Sequence, residues 1–158
     1  MDIGDKFPDL LGVDAEGKEV RLSDFPDKKF IIYFYPKDNT PGCTLEAQSL
    51  RDNYQAFLDM GYQIIGVSKD SEASHRKFAE KQCLPFPLIA DTEVQLCEKA
   101  GVWALKKMAG REYLGILRTT FVCDHDGTVT DKIDKVKTKT AAEQLFELLD
   151  GRGNPNPA

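Results

Sequence analysis

The chain has 158 residues, 41% hydrophobic and 30% charged, with a formal net charge of −5. This length and apolar content suit a single soluble domain with one continuous core. The acid excess, with Lys and Arg interspersed among Asp and Glu, argues against a general nucleic-acid surface, because phosphate binding needs clustered cations. The amino-terminal stretch MDIGDKFPDLL carries three Asp and no long apolar run, so neither a secretory leader nor a membrane anchor is expected and the cytosol is the default compartment.

In chain order, two short apolar segments flank Asp14-Ala15-Glu16-Gly17, which predicts an amino-terminal β-hairpin. The run from Phe30 to Tyr35, ended by Pro36, lacks polar alternation and predicts a central strand covered on both faces. From Thr44 to Leu58 apolar residues recur at helical intervals, and Met60-Gly61 supplies a stop, so this stretch is read as one helix. YQIIGVS predicts a strand, SEASHRKFAEKQC a helix capped by Ser71 or Asp70, FPLIAD a short strand, and TEVQLCEKAGVW a short helix stopped at Gly101. LRTTFVCD and TVTDKID predict two strands joined through Asp126-Gly127, a strong turn signal. A last amphipathic helix spans about Lys139 to Leu149. The single domain is expected over residues 1–150, with 151–158 as a flexible tail rich in Gly, Pro and Asn. The order of elements describes an α/β domain, a mixed central sheet with helices on both faces, similar to thioredoxin.

The four cysteines, Cys43, Cys83, Cys97 and Cys123, contain no C-x-x-C pair, and His75 and His125 sit at no ligand spacing, so neither structural disulfides nor a zinc site is expected. Cys43 stands apart. Strand, turn and helix in that order put it in the first turn of a helix at the carboxyl edge of a central strand, where open α/β sheets hold their ligands. A helix amino terminus favours an anion, and such positions can bring a thiol from about 8.5 into the range of roughly 3.5 to 7.5. Thr40 can turn its hydroxyl toward the same turn, Pro36 would shield it from water, and Pro41-Gly42 gives a backbone with no side chain to obstruct an incoming molecule. Position alone does not separate this reading from an inert thiol at a helix start.

The stretch YFYPKDNTPGCTLEA resembles the active-site segment of the peroxiredoxins, whose pattern is Pro, three residues, Thr, two residues, Cys; Pro36, Thr40 and Cys43 match it. IIGVSKDSEASHRKFAEK, FPLIADTEVQLCEKAGVW and LRTTFVCDHDGTV extend the likeness over about residues 3 to 149, toward the bacterioferritin comigratory protein or peroxiredoxin Q branch. The resemblance implies a thioredoxin-like fold and a thiol peroxidase for hydrogen peroxide and organic hydroperoxides, with no cofactor and no metal. It also implies thioredoxin or a similar thiol as reductant and a monomer, while the charge pattern and the amino-terminal stretch lead to no nucleic-acid or membrane partner being expected. Carried over by residue, Cys43 would be the peroxidatic cysteine, Thr40 would orient the peroxide, and Arg118 would hold the thiolate and polarise the O–O bond. Glu46, one turn after Cys43, is either a further hydrogen-bonding member of this group or a solvated helix acid.

The pattern departs from many members of the branch at Gln48, where a resolving cysteine would stand five residues after the first. Others carry it on the next helix, and Cys83 lies near the end of that helix, about one turn later than the pattern asks. Two readings stand: Cys83 forms a disulfide with Cys43, or it is a helix-end thiol in a one-cysteine enzyme. Cys97 and Cys123, set among apolar neighbours, are expected in the core. A thioredoxin-like reductase would want a second Cys where Glu46 stands, a cysteine hydrolase would need a histidine base, and a redox-sensing or holdase-like module would use Cys43 oxidation as a signal.

Overall fold

The computed structural model describes residues 1–151, and the tail expected at 151–158 lies, beyond Gly151, outside the described residues. Five strands form the central sheet: β3 (Lys29–Phe34), β4 (Tyr62–Ser68), β5 (Leu88–Ala90), β8 (Thr119–Cys123) and β9 (Val129–Ile133), in the order β5-β4-β3-β8-β9. β3, β4 and β5 run parallel, while β8 is antiparallel to both β3 and β9. The sheet is therefore mixed, as the alternating elements predict.

β3 shows why the sequence folds this way. Successive side chains of a strand point to opposite faces. Phe30, Ile32 and Phe34 enter one buried cluster, with Phe121, Ile65 and Ile89, while Ile31, Tyr33 and Tyr35 enter the other. The hairpin of β1 (Leu10–Val13) and β2 (Glu19–Arg21) contributes Leu11 and Val20 to the first face, and α4 (Gln95–Lys99) adds Leu96 and Cys97. The second face is covered by α1 (Pro41–Asp52), α2 (Tyr54–Asp59), α3 (Glu72–Gln82) and α5 (Ala141–Gly151), through residues such as Leu50, Phe57, Phe78 and Leu145. Phe57 of α2 stacks on Phe146 of α5 with centroids 4.5 Å apart. Burial of each such side chain contributes about 1.5–3 kcal/mol.

Two features depart from the sequence expectation. The helix read as continuous from Thr44 to Leu58 starts earlier, at Pro41, and is broken at Asn53. The Asn53 backbone sits at φ −115°, ψ 9°, and its side-chain amide donates to the Ser49 carbonyl at 2.8 Å, competing locally with the helical ladder. The segment between α4 and β8, for which the sequence predicts no element beyond Trp103, folds as a second hairpin, β6 (Trp103–Met108) with β7 (Arg111–Ile116). Its two-residue turn, Ala109-Gly110, has both φ values positive, at 52° and 79°, as a hairpin of this length requires. This hairpin forms a separate two-stranded sheet, and its last strand leads through Leu117 into Arg118.

Candidate active site

The loop between β3 and α1 delivers Cys43 to the first turn of a twelve-residue helix, with Pro41 as its first residue and Thr40 as its N-cap. Proline suits that position, because its missing N–H would have no helical partner there. The Cys43 side chain is buried, in the cluster with Tyr33, Tyr35 and Ala47.

Arg118 comes from the other end of the chain, at the entry to β8, which pairs with β3. Its Nη2 donates to Cys43 Sγ at 3.4 Å, and its Nη1 donates to Glu46 Oε1 at 2.7 Å. One planar guanidinium thus holds both groups in a fixed fork, which a lysine could not reproduce. A Cβ built on Gly42 would lie 3.3 Å from Arg118 Nη2, so the missing side chain at Gly42 also makes room for the guanidinium.

Glu46 is fully buried, and the solvated alternative does not describe it. Its Oε2, like the hydroxyl of Tyr33, has no hydrogen-bond partner among the described residues. Burial pushes the Glu46 carboxyl up from 4.5 to about 7, against the opposing pull of Arg118. Burial, with the nearby acids Glu46 and Cys43, keeps the Tyr33 phenol well above its ordinary value, hence neutral. Burial pulls the Arg118 guanidinium down, but Glu46 and Cys43 outweigh it and leave the group above its usual range. A permanent cation set at a helix amino terminus stabilises negative charge that develops there.

Of the other residues singled out in the sequence, Thr40 is half-buried, and its hydroxyl donates to the Lys37 carbonyl at 2.8 Å, leaving its oxygen free to accept. Pro36 is half-buried at the start of the same loop. Cys83 is not brought to Cys43: it is exposed, in the left-handed conformation (φ 53°) at the carboxyl end of α3. The two helices nevertheless meet beside it, where Gln48 Nε2 donates to Gln82 Oε1 at 2.9 Å and Arg51 Nη1 to the Gln82 carbonyl at 2.8 Å. Cys97 and Cys123 are buried in the core; burial raises both thiols, with Asp91 adding to the effect at Cys97, and Cys123 is pushed up to about 12. Neither is a nucleophile at neutral pH.

Sequence reasoning missed a buried polar group beside the site. Asp38 and His75, 37 positions apart, are in contact at 2.7 Å between Oδ2 and Nδ1. Asp38, Asp70 and His75 are the one group of potential metal ligands that cluster among the described residues. Their facing atoms are taken up by Ser68, Ser74, Tyr35 and one another, the arrangement of a closed hydrogen-bond network rather than of a cation site.

Comparison with known proteins identifies the family. The AhpC/TSA family matches residues 3–132. The chain is 48% identical over 151 residues to peroxiredoxin Bcp of Bacillus subtilis, covering 95% of this chain and 96% of the relative. It is 41% identical to peroxiredoxin Bcp of Escherichia coli K12, covering 92% of this chain and 94% of that one. Among solved structures, a Cys-to-Ser mutant of Xylella fastidiosa PrxQ superimposes with a TM-score of 0.85 at 32% identity, covering 96% of each chain. A Xanthomonas campestris peroxiredoxin Q mutant does so at 0.81 and 36%, covering 89% of this chain and 90% of the other. With a helix-start cysteine, the guanidinium that reaches it and a thioredoxin-type sheet all in place, the chain belongs to the AhpC/TSA family, in its Bcp/peroxiredoxin Q branch.

Proposed function

We propose that the chain is a thiol peroxidase in which Cys43 is the peroxidatic residue, acting on hydrogen peroxide and organic hydroperoxides. The observation that carries this reading is the Arg118 fork, 3.4 Å from Cys43 Sγ and 2.7 Å from Glu46 Oε1, at the first turn of α1. The Cys43 thiolate attacks the terminal peroxide oxygen; an S–O bond forms, the O–O bond breaks, and the electron pair leaves on the remaining oxygen. That oxygen takes a proton and departs as water or an alcohol, and Cys43 is left as a sulfenic acid. Arg118 stabilises the charge on the breaking bond, and the Thr40 oxygen accepts from the peroxide O–H. Pro36 keeps water from the loop, and Glu46 holds Arg118 in place.

Cys83 is the resolving thiol in this reading. Its sulfur displaces hydroxide from the Cys43 sulfenic acid, water leaves, and a disulfide joins the two residues. A disulfide needs Cα atoms within about 7 Å, so the first turn of α1 unwinds to carry the buried Cys43 to the exposed Cys83. The hydrogen bonds of Gln48 and Arg51 to Gln82 support it, since they keep the end of α3 against α1. A dithiol such as thioredoxin then reduces the disulfide. The same reading takes residues 1–150 as one domain, working as a cytoplasmic monomer without nucleic acid or membrane; no helix among the described residues is long and apolar enough to cross a membrane. The sensing or holdase-like alternative is not favoured by relatives named as peroxiredoxins.

Intact mass and peptide mapping after one equivalent of hydrogen peroxide, on the wild type and on Cys83→Ser, test this. The expected result is a Cys43–Cys83 disulfide in the wild type and sulfenic or over-oxidised Cys43 in the variant. Sulfenic acid at Cys43 in both proteins would leave a one-cysteine peroxidase, and no oxidation at Cys43 in either would overturn the peroxidase reading.

A further inference from the structure

Asp38 lies five residues before Cys43, in the loop that carries Thr40, and the peroxidase cycle gives it no part. A buried carboxylate persists only when its oxygens are paired and hydrogen-bonded. Here both are. Asp38 is 4% exposed and His75 is completely buried. Oδ1 accepts from the Tyr35 hydroxyl at 2.7 Å, and Oδ2 accepts from Ser74 Oγ at 2.8 Å and meets His75 Nδ1 at 2.7 Å. The Asp38 backbone N–H donates to Asp70 Oδ2 at 2.9 Å, and Ser68 Oγ donates to that same oxygen at 2.6 Å.

The partners of His75 fix its hydrogens. Nε2 faces the Ile89 carbonyl at 3.0 Å, which can only accept, so Nε2 carries a hydrogen. Nδ1 faces Asp38, and a proton lies between the two whichever of them owns it. The loop is thus suspended from the end of β3 through the adjoining Tyr35, from α3 through Ser74 and His75, and from the β4–α3 turn through Asp70; His75 is itself pinned to β5.

The next residue gives this suspension its purpose. Asn39 is left-handed, at φ 61°, a conformation that asparagine adopts more readily than other residues with a Cβ and that turns the loop sharply between Asp38 and Thr40. Asp38 fixes one side of that residue. On the other side stands Thr40, whose hydroxyl turns back to the carbonyl of Lys37 and whose own carbonyl accepts the Thr44 N–H at 2.9 Å. A shift at Asp38 therefore passes directly to Thr40 and to the first turn of α1.

We propose that the Asp38–His75 pair is a positioning device for peroxide attack, setting Thr40 and the approach to Cys43 without touching the reacting atoms. The proposal rests on the reading of Cys43 as the peroxidatic residue. Two substitutions separate positioning from packing. In His75→Asn the amide stands where Nδ1 is and keeps the bond to Asp38; in His75→Gln it stands where Nε2 is, keeping Ile89 and releasing Asp38. The readouts are the second-order rate of Cys43 oxidation by hydrogen peroxide, the rate of Cys43 alkylation by iodoacetamide, and the melting temperature.

Displacement of reacting groups by about 1 Å costs on the order of 100-fold, so His75→Gln is expected to slow peroxide oxidation by about 10- to 100-fold. Alkylation, which needs no oriented substrate, should not slow with it, and His75→Asn should keep close to the wild-type peroxide rate. Equal slowing in both variants, or none in His75→Gln, overturns the proposal. If His75→Gln does not fold, Tyr35→Phe and Ser74→Ala each delete one bond to Asp38, and unchanged peroxide rates in both overturn it equally. A wild type whose Cys43 is not oxidised overturns the peroxidase reading itself, a result that none of the variants can mimic.

Discussion

Glu46→Gln tests whether burial or Arg118 dominates the acid beside Cys43. The folded carboxyl is raised from 4.5 to about 7 by burial, with Arg118 opposing. Between those two values the folded protein holds a proton that the unfolded chain has released. Stability then falls as pH rises through that window, because the native state binds more protons than the unfolded one. At 1.36 kcal/mol per pKa unit, the rise from 4.5 to about 7 corresponds to about 3 kcal/mol, present below pH 4.5 and lost by pH 8. Glutamine has no proton to lose. Urea unfolding of both proteins under reducing conditions, from pH 4 to 8, should show the wild type losing about 3 kcal/mol relative to the variant as pH rises. Other titrating groups are common to both proteins and cancel in the difference. A difference that is flat, or that moves in favour of the wild type with rising pH, would refute the reasoning and mean that Arg118 keeps Glu46 ionised throughout.

Three further substitutions probe the same neighbourhood. Arg118→Lys keeps the charge but loses the fork that reaches Cys43 and Glu46 together, so the rate of Cys43 oxidation by peroxide, followed by stopped flow, should drop about 10²- to 10³-fold. Gly42→Ala puts a Cβ 3.3 Å from Arg118 Nη2, forcing the guanidinium back by a few tenths of an ångström; the same assay should show a several-fold loss with little change in melting temperature. In Gly66→Ala the new Cβ would stand 2.7 Å from Leu88 Cδ2 and 2.9 Å from Tyr33 Cζ. Overpacking there should cost about 1–3 kcal/mol in urea unfolding.

What the sequence made legible follows from whether its signal was local. The apolar run of β3 declared a central strand because both its faces are buried, and Asp126-Gly127 declared the β8–β9 turn by composition. The β6–β7 hairpin stayed hidden because Ala109 occupies a positive-φ position where Asn would have signalled a turn, and Lys106 and Lys107 blur the alternation. The break at Asn53 was hidden by an apolar period that runs straight across it. In the site, the placement of Cys43 in the first turn of a helix, with Thr40 just before it, was legible from strand, turn and helix. Arg118 was not, except through resemblance, since an arginine 75 residues away at a strand end carries no mark of its partner. The burial of Glu46 and the Asp38–His75 contact were illegible for the same reason: each is explained only by a residue that the fold brings from elsewhere.

The break at Asn53 and the neighbours of α1 together divide that helix into a rear part bonded to other helices and a forward part that is not. Ser49 Oγ accepts the N–H of Ala142 at 3.0 Å and so caps the start of α5, while Gln48 and Arg51 hold the end of α3. Loss of such a cap costs about 1 kcal/mol, and the apolar contact of α5 with the sheet would be loosened with it. Residues 41–47 make no such side-chain bond to another helix among the described residues. The boundary between the two parts lies near Gln48, and the forward part is held instead through Arg118 and through Cys43 and Ala47 in the core. Opening of the forward part should show in amide exchange as fast amides up to Arg51, whose acceptor carbonyls lie within residues 41–47, and slow ones beyond, Cys43 travelling while the domain behind it stays shut.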